Sequence, residues 1–411
     1  MIETESIDEA LVDEGFAADP YPTYRRLREE APVHWARPWR QWVLSRYEDV
    51  VRVLREPDAF GSAGWEAQFV ARFLPADLEQ MPYLEHHFRP RAYLSITDPP
   101  DHARMRRPVV QALTPRVIAA MEPFIVGVVD GLLDRVEDAG QFDAVKDFSY
   151  PLPATVICEL MGLPAEDRDR FLGWSQDLVD FVSTGSPSRE RAMQAEHSVA
   201  QLHAYLDAFI DARRRVADDK IISLLVAAGG VHEPFSQDEL ISASIALVTA
   251  GHETTANLIG NGLLALLRQP DQLERLRDDP SLALGAVEEF LRFDAPLQRF
   301  RRVARRDIDV AGQTIDEGSL VIAFAGSANR DPAVFPEPDR LDLARSDNPH
   351  LAFGNGIHFC VGAGLSRLEA RIVFEQLPRR FPRLRLIADQ PPVWRRNIAF
   401  RGLETLSVRV D

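Results

Sequence analysis

Two residue types are scarce in this chain of 411 residues, which has only Cys158 and Cys360 as cysteines and only Lys146 and Lys220 as lysines. Two cysteines exclude a disulfide framework. Cys158, set among Val156, Ile157, Leu160 and Met161, reads as a buried structural thiol. Positive charge therefore rests on arginine, a bias of the kind a GC-rich genome produces. The net charge is −16, and no basic stripe is interleaved with aromatics, so nucleic acid is not an expected partner. No apolar stretch of about 20 residues could span a bilayer. The acidic start, MIETESIDEALVDEGF, lacks the basic and apolar regions of a signal peptide. No membrane association and a cytoplasmic location are expected. Neither G-x-G-x-x-G nor another dinucleotide fingerprint occurs, so no flavin or nicotinamide module is expected.

What is present suits a large core, since 45% of residues are hydrophobic. Glycine and proline are scattered and mark no linker. One domain over residues 1–411 is expected, with two unequal lobes and a disordered arm over about residues 1–17. Val33, Trp35, Trp42, Val43 and Leu44 predict a short strand pair before a helix near 47–55. Residues 61–95 are irregular and rich in aromatics and proline, as functional loops are. Amphipathic patterns then cover about 101–113, 115–138, 150–161, 166–183, 190–216 and 220–228. Ser236 to Glu239 form a capping-box pattern, and the apolar run after it continues to Leu267, before Pro270. One continuous helix there would extend about 45–50 Å, enough to cross the domain. Strand-like alternation follows over 303–324, a helix over about 361–377, and strands over 398–410. The class is mostly α with small β-sheets (α+β).

The run Phe353-Gly-Asn-Gly-Ile-His-Phe-Cys360-Val-Gly362 carries the most chemistry. Gly354 and Gly356 allow backbone angles that a side chain blocks. Cys360 lies where a turn feeds a helix, so a thiolate there meets N–H groups and the positive end of the helix dipole. Three other readings compete. Cys360 could be a small buried hydrophobe. It could be half of a zinc site with His358, although Cys158 is the only other cysteine available. It could be a nucleophile, although no local signature of one is present.

Ala250-Gly-His-Glu-Thr-Thr255 falls midway along the long helix. Glycine and threonine are poor helix formers, so propensity is overridden there. A threonine hydroxyl can bond back to a carbonyl one turn earlier and open a groove. Gly251 would let a flat ligand approach the backbone. A helix crossing that needs small residues, with Glu253 solvated, explains the run equally well. A zinc-protease motif fails, because Ala256 stands where its second histidine belongs.

Taken together, F-G-x-G-x-H-x-C-x-G and A-G-x-[DE]-T-T resemble the cysteine loop and the oxygen-binding segment of the cytochrome P-450 family. Glu289-Phe-Leu-Arg292 resembles its E-x-x-R ion pair, and His102-x-x-x-Arg106 after Asp98-Pro-Pro-Asp101 resembles its propionate-binding pair. Residues 327–332 and Phe335-x-x-Pro338 resemble its meander, and the likeness runs from about Ala18 to the tail.

The resemblance implies a cytochrome P-450-like domain with a long central helix crossing over haem b. Cys360 becomes the axial iron ligand, whose thiolate favours O–O cleavage. His358, His102, Arg106 and Arg302 hold the propionates, Arg302 being chosen over Arg299, Arg301, Arg305 and Arg306 by its spacing to Asp307 and Gly312. Ala250, Gly251, Phe353 and Gly354 also contact the haem. Glu253 and Thr254 relay protons, while Glu289 and Arg292 form a structural pair. Substrate is selected by residues 61–96, about 171–190, Ala243, Leu247, Ala250, Leu297, Ile398 and Ala399, which are mainly apolar.

The expected enzyme is a bacterial-type, ferredoxin-dependent monooxygenase of secondary metabolism or catabolism, and a monomer. It inserts one oxygen atom from O2 into a small, largely hydrophobic substrate. Electrons from NAD(P)H arrive through a separate reductase and a ferredoxin, which docks on the cysteine face against Arg104, Arg107, Arg367 and Arg371. The alternatives are a peroxide-driven haem-thiolate oxidase and a haem-binding recruitment module without turnover.

Overall fold

The computed structural model describes residues 6–66, 75–89, 92–183, 188–228 and 235–410. Parts of the expected substrate-selecting segments, residues 67–74, 90–91 and 184–187, lie outside the described residues. The chain divides into two compact units. Unit 1 comprises Met1–Gly61, Ile125–Pro151 and Thr254–Asp411, and unit 2 comprises Ser62–Phe124 and Leu152–Glu253.

Unit 1 holds all the described strands. Its main sheet has the order β1-β2-β8-β5-β3, from Val33–Ala36, Gln41–Leu44, Leu320–Ala323, Phe300–Ala304 and Phe60–Gly61. Only β2 and β8 run parallel. A three-stranded sheet joins β4 (Gln141–Asp143), β12 (Ser407–Arg409) and β9 (Arg385–Leu386). Two strand pairs complete the set, β6 (Ile308–Val310) with β7 (Gln313–Ile315) and β10 (Val393–Trp394) with β11 (Leu403–Thr405). The expected class, mostly helical with small sheets, is the one observed.

The first helices also belong to unit 1. Where a disordered arm was expected, Ser6 caps the short helix α1 (Ile7–Ala10) in a reciprocal box with Glu9. Leu11 and Phe16 are buried with Tyr24 and Leu27 of α2 (Tyr21–Glu30), so burial of apolar side chains orders the segment from Ser6 onward. Helix α3 (Tyr47–Arg55) has Glu48 and Asp49 in its first turn and Arg52 and Arg55 in its last, each favoured by the helix dipole. It buries Val50, Val53 and Leu54 against the sheet residues Leu44, Val321 and Ala323.

The regular secondary structure among the described residues of unit 2 is all helical. It contains α4 (Pro82–His87), α5 (Asp101–Ala112), α7 (Pro151–Met161), α8 (Arg168–Ser183), α9 (Arg189–Arg215) and α10 (Ile221–Ala228). Between α5 and α7, the single expected helix over 115–138 is two, Pro115–Ala120 and α6 (Glu122–Glu137). Pro123 lacks the N–H that a continuous helix would need there, so the chain turns at Met121 and restarts.

Helix α11 (Gln237–Leu267) runs unbroken for 31 residues, about 46 Å at 1.5 Å per residue. Its capping box is formed, with Ser236 Oγ accepting from Glu239 N at 3.1 Å and Glu239 Oε2 accepting from Ser236 N at 2.8 Å. Pro270 does end it, and also opens α12 (Pro270–Asp278), where a missing N–H costs nothing. Unit 1 continues with α13 (Ala283–Phe293) and α14 (Ala363–Arg380). The last of these passes the expected end and takes Pro378 into its final turn. The tail is less regular than expected, because residues 398–402 contribute only an isolated bridge from Phe400 to Leu297.

Candidate active site

The cysteine loop is shaped by two left-handed glycines. Gly354 has φ +72° and Gly356 φ +68°, a region that costs any other residue. A Cβ on Gly356 would stand 2.4 Å from Leu54 O, and one on Gly354 would touch the Phe300 ring at 3.4 Å. The loop is therefore seated between α3 and β5, with Arg55 Nε donating to Asn355 Oδ1 at 2.9 Å. Cys360 N donates to Phe353 O at 3.0 Å, which closes the loop and leaves Cys360 and Phe359 exposed. Cys158 differs, since burial pushes its thiol up to about 11 and keeps it protonated.

Gly356→Ala combines left-handed strain with a backbone clash. We expect it to destabilise the chain by about 2–4 kcal/mol. Denaturant unfolding checks this, and a change under about 0.5 kcal/mol would contradict the described fit of the loop.

Strand β5, against which the loop packs, sorts the candidate arginines. Arg302 is 6% exposed, and its Nη1 donates to Arg301 O at 2.8 Å. Arg305 and Arg306 are exposed, and Arg305 lies across Gly61. Arg299 is buried, with its guanidinium 5.7 Å from the centre of the Trp39 ring. A buried cation is what a carboxylate-bearing ligand would need, and Arg302 and Arg299 are equally buried. His358 ends a short 3-10 turn, Gly356–His358, and is half-buried.

In unit 2, His102 and Arg106 lie one turn apart on α5, His102 buried at 3% and Arg106 half-buried. Asp98, ahead of that helix, accepts from Ser62 N at 2.7 Å and Ala63 N at 3.2 Å, tying the preceding segment down.

Helix α11 is covered on nearly every side, which makes its accessible positions informative. From Leu240 to Leu266 almost every residue is buried; apart from Thr249, whose Oγ1 accepts from Ser175 Oγ at 3.1 Å, only Ala246, Leu247, Ala250, Gly251 and Thr254 are not. At 100° per residue these fall on one face, made of small or apolar residues. Gly251 is packed on its other side, where a Cβ would meet Ile157 at 2.9 Å. Thr254 is on the accessible face, while its neighbour Glu253 is buried at 2%. Ala243 is also buried. His252 is turned into the helix, with Nδ1 2.8 Å from Val248 O.

Sequence reading missed Thr255, whose hydroxyl donates to Ser366 Oγ at 3.1 Å and joins α11 to α14 in unit 1. A second small hydroxyl residue was visible in the motif, but its partner 111 residues away was not. Gln298, next to Leu297, donates its N–H to Ala399 O at 2.9 Å. Ile398 packs against the apolar cluster of Leu11, Phe16 and Tyr24.

Glu289 and Arg292 form a fully buried bidentate pair, with N–O distances of 2.7 and 2.8 Å and no exposure on either side chain. Arg292 also donates to Asn329 O, Pro338 O and Arg340 O, and Glu289 accepts from Arg345, Asn348 and the Asp342 backbone. Asn329 Oδ1 in turn accepts from Leu351 N at 2.7 Å, so the network reaches the root of the cysteine loop.

Three of the four arginines expected at a docking face are paired within the chain. Arg367 chelates Glu288 at 2.6 and 2.9 Å, Arg371 holds Glu375 at 2.9 Å, and Arg104 holds Glu239 at 2.5 Å. Burial raises the Glu288 pKa, but hydrogen bonds from His350 and Arg367 outweigh this and hold it at about 2. Charge neutralised at home attracts a partner less, so Arg107, which is exposed, keeps the stronger case.

The donor set suits an iron porphyrin. In unit 1, an exposed cysteine follows a loop packed against a strand that carries a buried arginine, and α11 carries an accessible face of small residues. The comparisons agree. A family model described as Cytochrome P450 matches residues 42–393. Cytochrome P450 107B1 of Saccharopolyspora erythraea is 42% identical over 97% of this chain and 96% of its own. Vitamin D(3) 25-hydroxylase of Pseudonocardia autotrophica is 40% identical over 96% of this chain and 94% of its own. Among solved structures, P450BioI bound to a hexadec-9Z-enoic acid-ligated acyl carrier protein aligns at TM-score 0.89 and 35% identity. That alignment covers 97% of this chain and 99% of P450BioI.

Proposed function

Because the chain belongs to the cytochrome P450 family, a family of haem-thiolate monooxygenases, we propose that Cys360 is its iron ligand and that it oxygenates a small, largely hydrophobic substrate. The observation that carries this reading is the Cys360 loop, shaped by two left-handed glycines against α3 and β5, with Cys360 exposed. The haem, when bound, supplies the site at which dioxygen is reduced and split.

The chain's residues do the rest. Arg302, His358, His102 and Arg106 hold the propionates by charge-assisted hydrogen bonds. Phe353, Gly354, Ala250 and Gly251 give close, featureless contact to the ring. Thr254 lies on the accessible face of α11 and directs the proton, and Glu253, buried one residue earlier, is the proton source behind it. Leu247, Ala250, Leu297, Ile398, Ala399 and Ala243 select substrate by apolar contact. The absence of a dinucleotide fingerprint supports electron supply from NAD(P)H through a separate reductase and a ferredoxin-type donor. The reading takes the chain as one catalytic domain and a monomer in the cytoplasm. Among the described residues, no helix is long and apolar enough to cross a membrane.

A related crystal structure, CYP109E1 from Bacillus megaterium in complex with testosterone, aligns at TM-score 0.87 and 32% identity, covering 97% of this chain and 100% of its own. With vitamin D(3) in a relative's name, this supports a compact apolar substrate. The test is product formation from a panel of such compounds, with reductase, ferredoxin and NAD(P)H or with peroxide alone. Product only with the electron-transfer partners is expected. Product with peroxide alone would favour a peroxide-driven oxidase, and no product despite bound haem would favour a recruitment module.

A further inference from the structure

Unit 2 carries a cluster that the oxygenase reading does not use. His86 on α4, His203 on α9 and Asp238 in the first turn of α11 each bring one donor atom within 4.8 Å of the others. His86 Nε2 stands 3.8 Å, and His203 Nε2 4.0 Å, from the Asp238 carboxylate. The two imidazoles meet edge to face with centroids 6.1 Å apart, and Tyr83 backs His203 at 5.4 Å. His86 Nε2 is shut off from solvent without a hydrogen-bond partner. The remaining neighbour is Arg89, with one nitrogen 3.1 Å from His86 Nδ1 and another 3.4 Å from Asp238.

An ordinary ion-pair cluster closes to hydrogen-bond distance. The adjacent Glu239 does so, at 2.5 Å to Arg104, whereas Asp238 accepts one long hydrogen bond from Arg89 at 3.4 Å and stands 3.8 and 4.0 Å from the two imidazoles. Two imidazoles and one carboxylate form a donor set for Zn2+ and related ions, whereas Ca2+ and Mg2+ prefer oxygen ligands.

We propose that His86, His203 and Asp238 form a binding site for a divalent transition-metal ion, Zn2+ first, which fastens α4 to α9 and to the start of α11. Tetrahedral Zn2+ sets its donor atoms roughly 3.3 Å apart, so the three donors, now within 4.8 Å of one another, must draw together by up to about 1.5 Å. All three side chains are half-buried, which leaves room for a water as fourth ligand. Arg89 is the resident competitor. Metal binding through Nε2 places a proton on His86 Nδ1, which turns the half-exposed Arg89 away. Because α4 lies in the segment expected to select substrate, the metal would stiffen that segment.

The experiment is calorimetric titration of Zn2+ into the haem-loaded, full-length chain without a histidine tag. One equivalent is expected to bind. His203→Ala and Asp238→Asn each weaken binding by at least about 100-fold, more than the 10–100-fold lost with an outer-shell partner. Arg89→Gln strengthens it. On the unmodified chain, Zn2+ slows deuterium uptake across residues 82–89, a readout that does not depend on how any variant folds. Unchanged uptake there, or Zn2+ binding with equal affinity in folded His203→Ala and Asp238→Asn proteins, overturns the proposal.

Discussion

Glu289→Ala is expected to cost about 3–5 kcal/mol, the penalty for leaving a buried charge without its counter-ion. Small domains have about 5–15 kcal/mol of stability in all, so a large fraction is lost. The residue answers two cations, Arg292 with no exposure and Arg345 with 10%, and its removal strands both. Arg292→Ala is expected to cost less, because Arg345 would still neutralise Glu289, although carbonyls at Asn329, Pro338 and Arg340 lose their donor. The damage should reach the cysteine loop through Asn329 and Leu351, so haem retention should fall together with stability. Denaturant unfolding of the two variants measures this. Losses below about 1 kcal/mol in both would mean that the network is a minor contributor.

The second large effect concerns α11. Glu253→Gln is expected to lower turnover by about 100-fold, at the lower end of what a positioned proton donor contributes. Haem absorption and stability should be unchanged, since glutamine keeps the shape but cannot pass on a carboxyl proton. Thr254→Ala should keep NAD(P)H consumption while diverting it from product to hydrogen peroxide, because the hydroxyl no longer directs the proton. Product per NAD(P)H and peroxide yield decide the matter. Coupling unchanged in both variants would remove Glu253 and Thr254 from the proposed relay.

Local signals were legible wherever the chemistry was local. The capping box at Ser236, the strand pair before α3 and the two glycines before Cys360 each act over a few residues, and each is formed as expected. The break at Met121 was overlooked because the apolar pattern continues across it, although Pro123 marked the restart. Partners distant in sequence were not legible. Arg345 and Asn348 lie in an irregular stretch with no periodicity to betray that they serve Glu289. Arg104 and Arg367 looked like available surface charge until the fold brought a glutamate to each, whereas Glu375, one helical turn after Arg371, was legible in the sequence. His86, His203 and Asp238 are spread over 153 residues, so no spacing rule could have joined them.

The most direct test of the central claim is the absorption spectrum of the haem-supplied protein, reduced and exposed to carbon monoxide. A strongly red-shifted Soret band is expected, kept in Cys158→Ala and lost in Cys360→Ala. No haem band in folded protein, or a red-shifted band that survives Cys360→Ala, would contradict the assignment of Cys360 as the iron ligand.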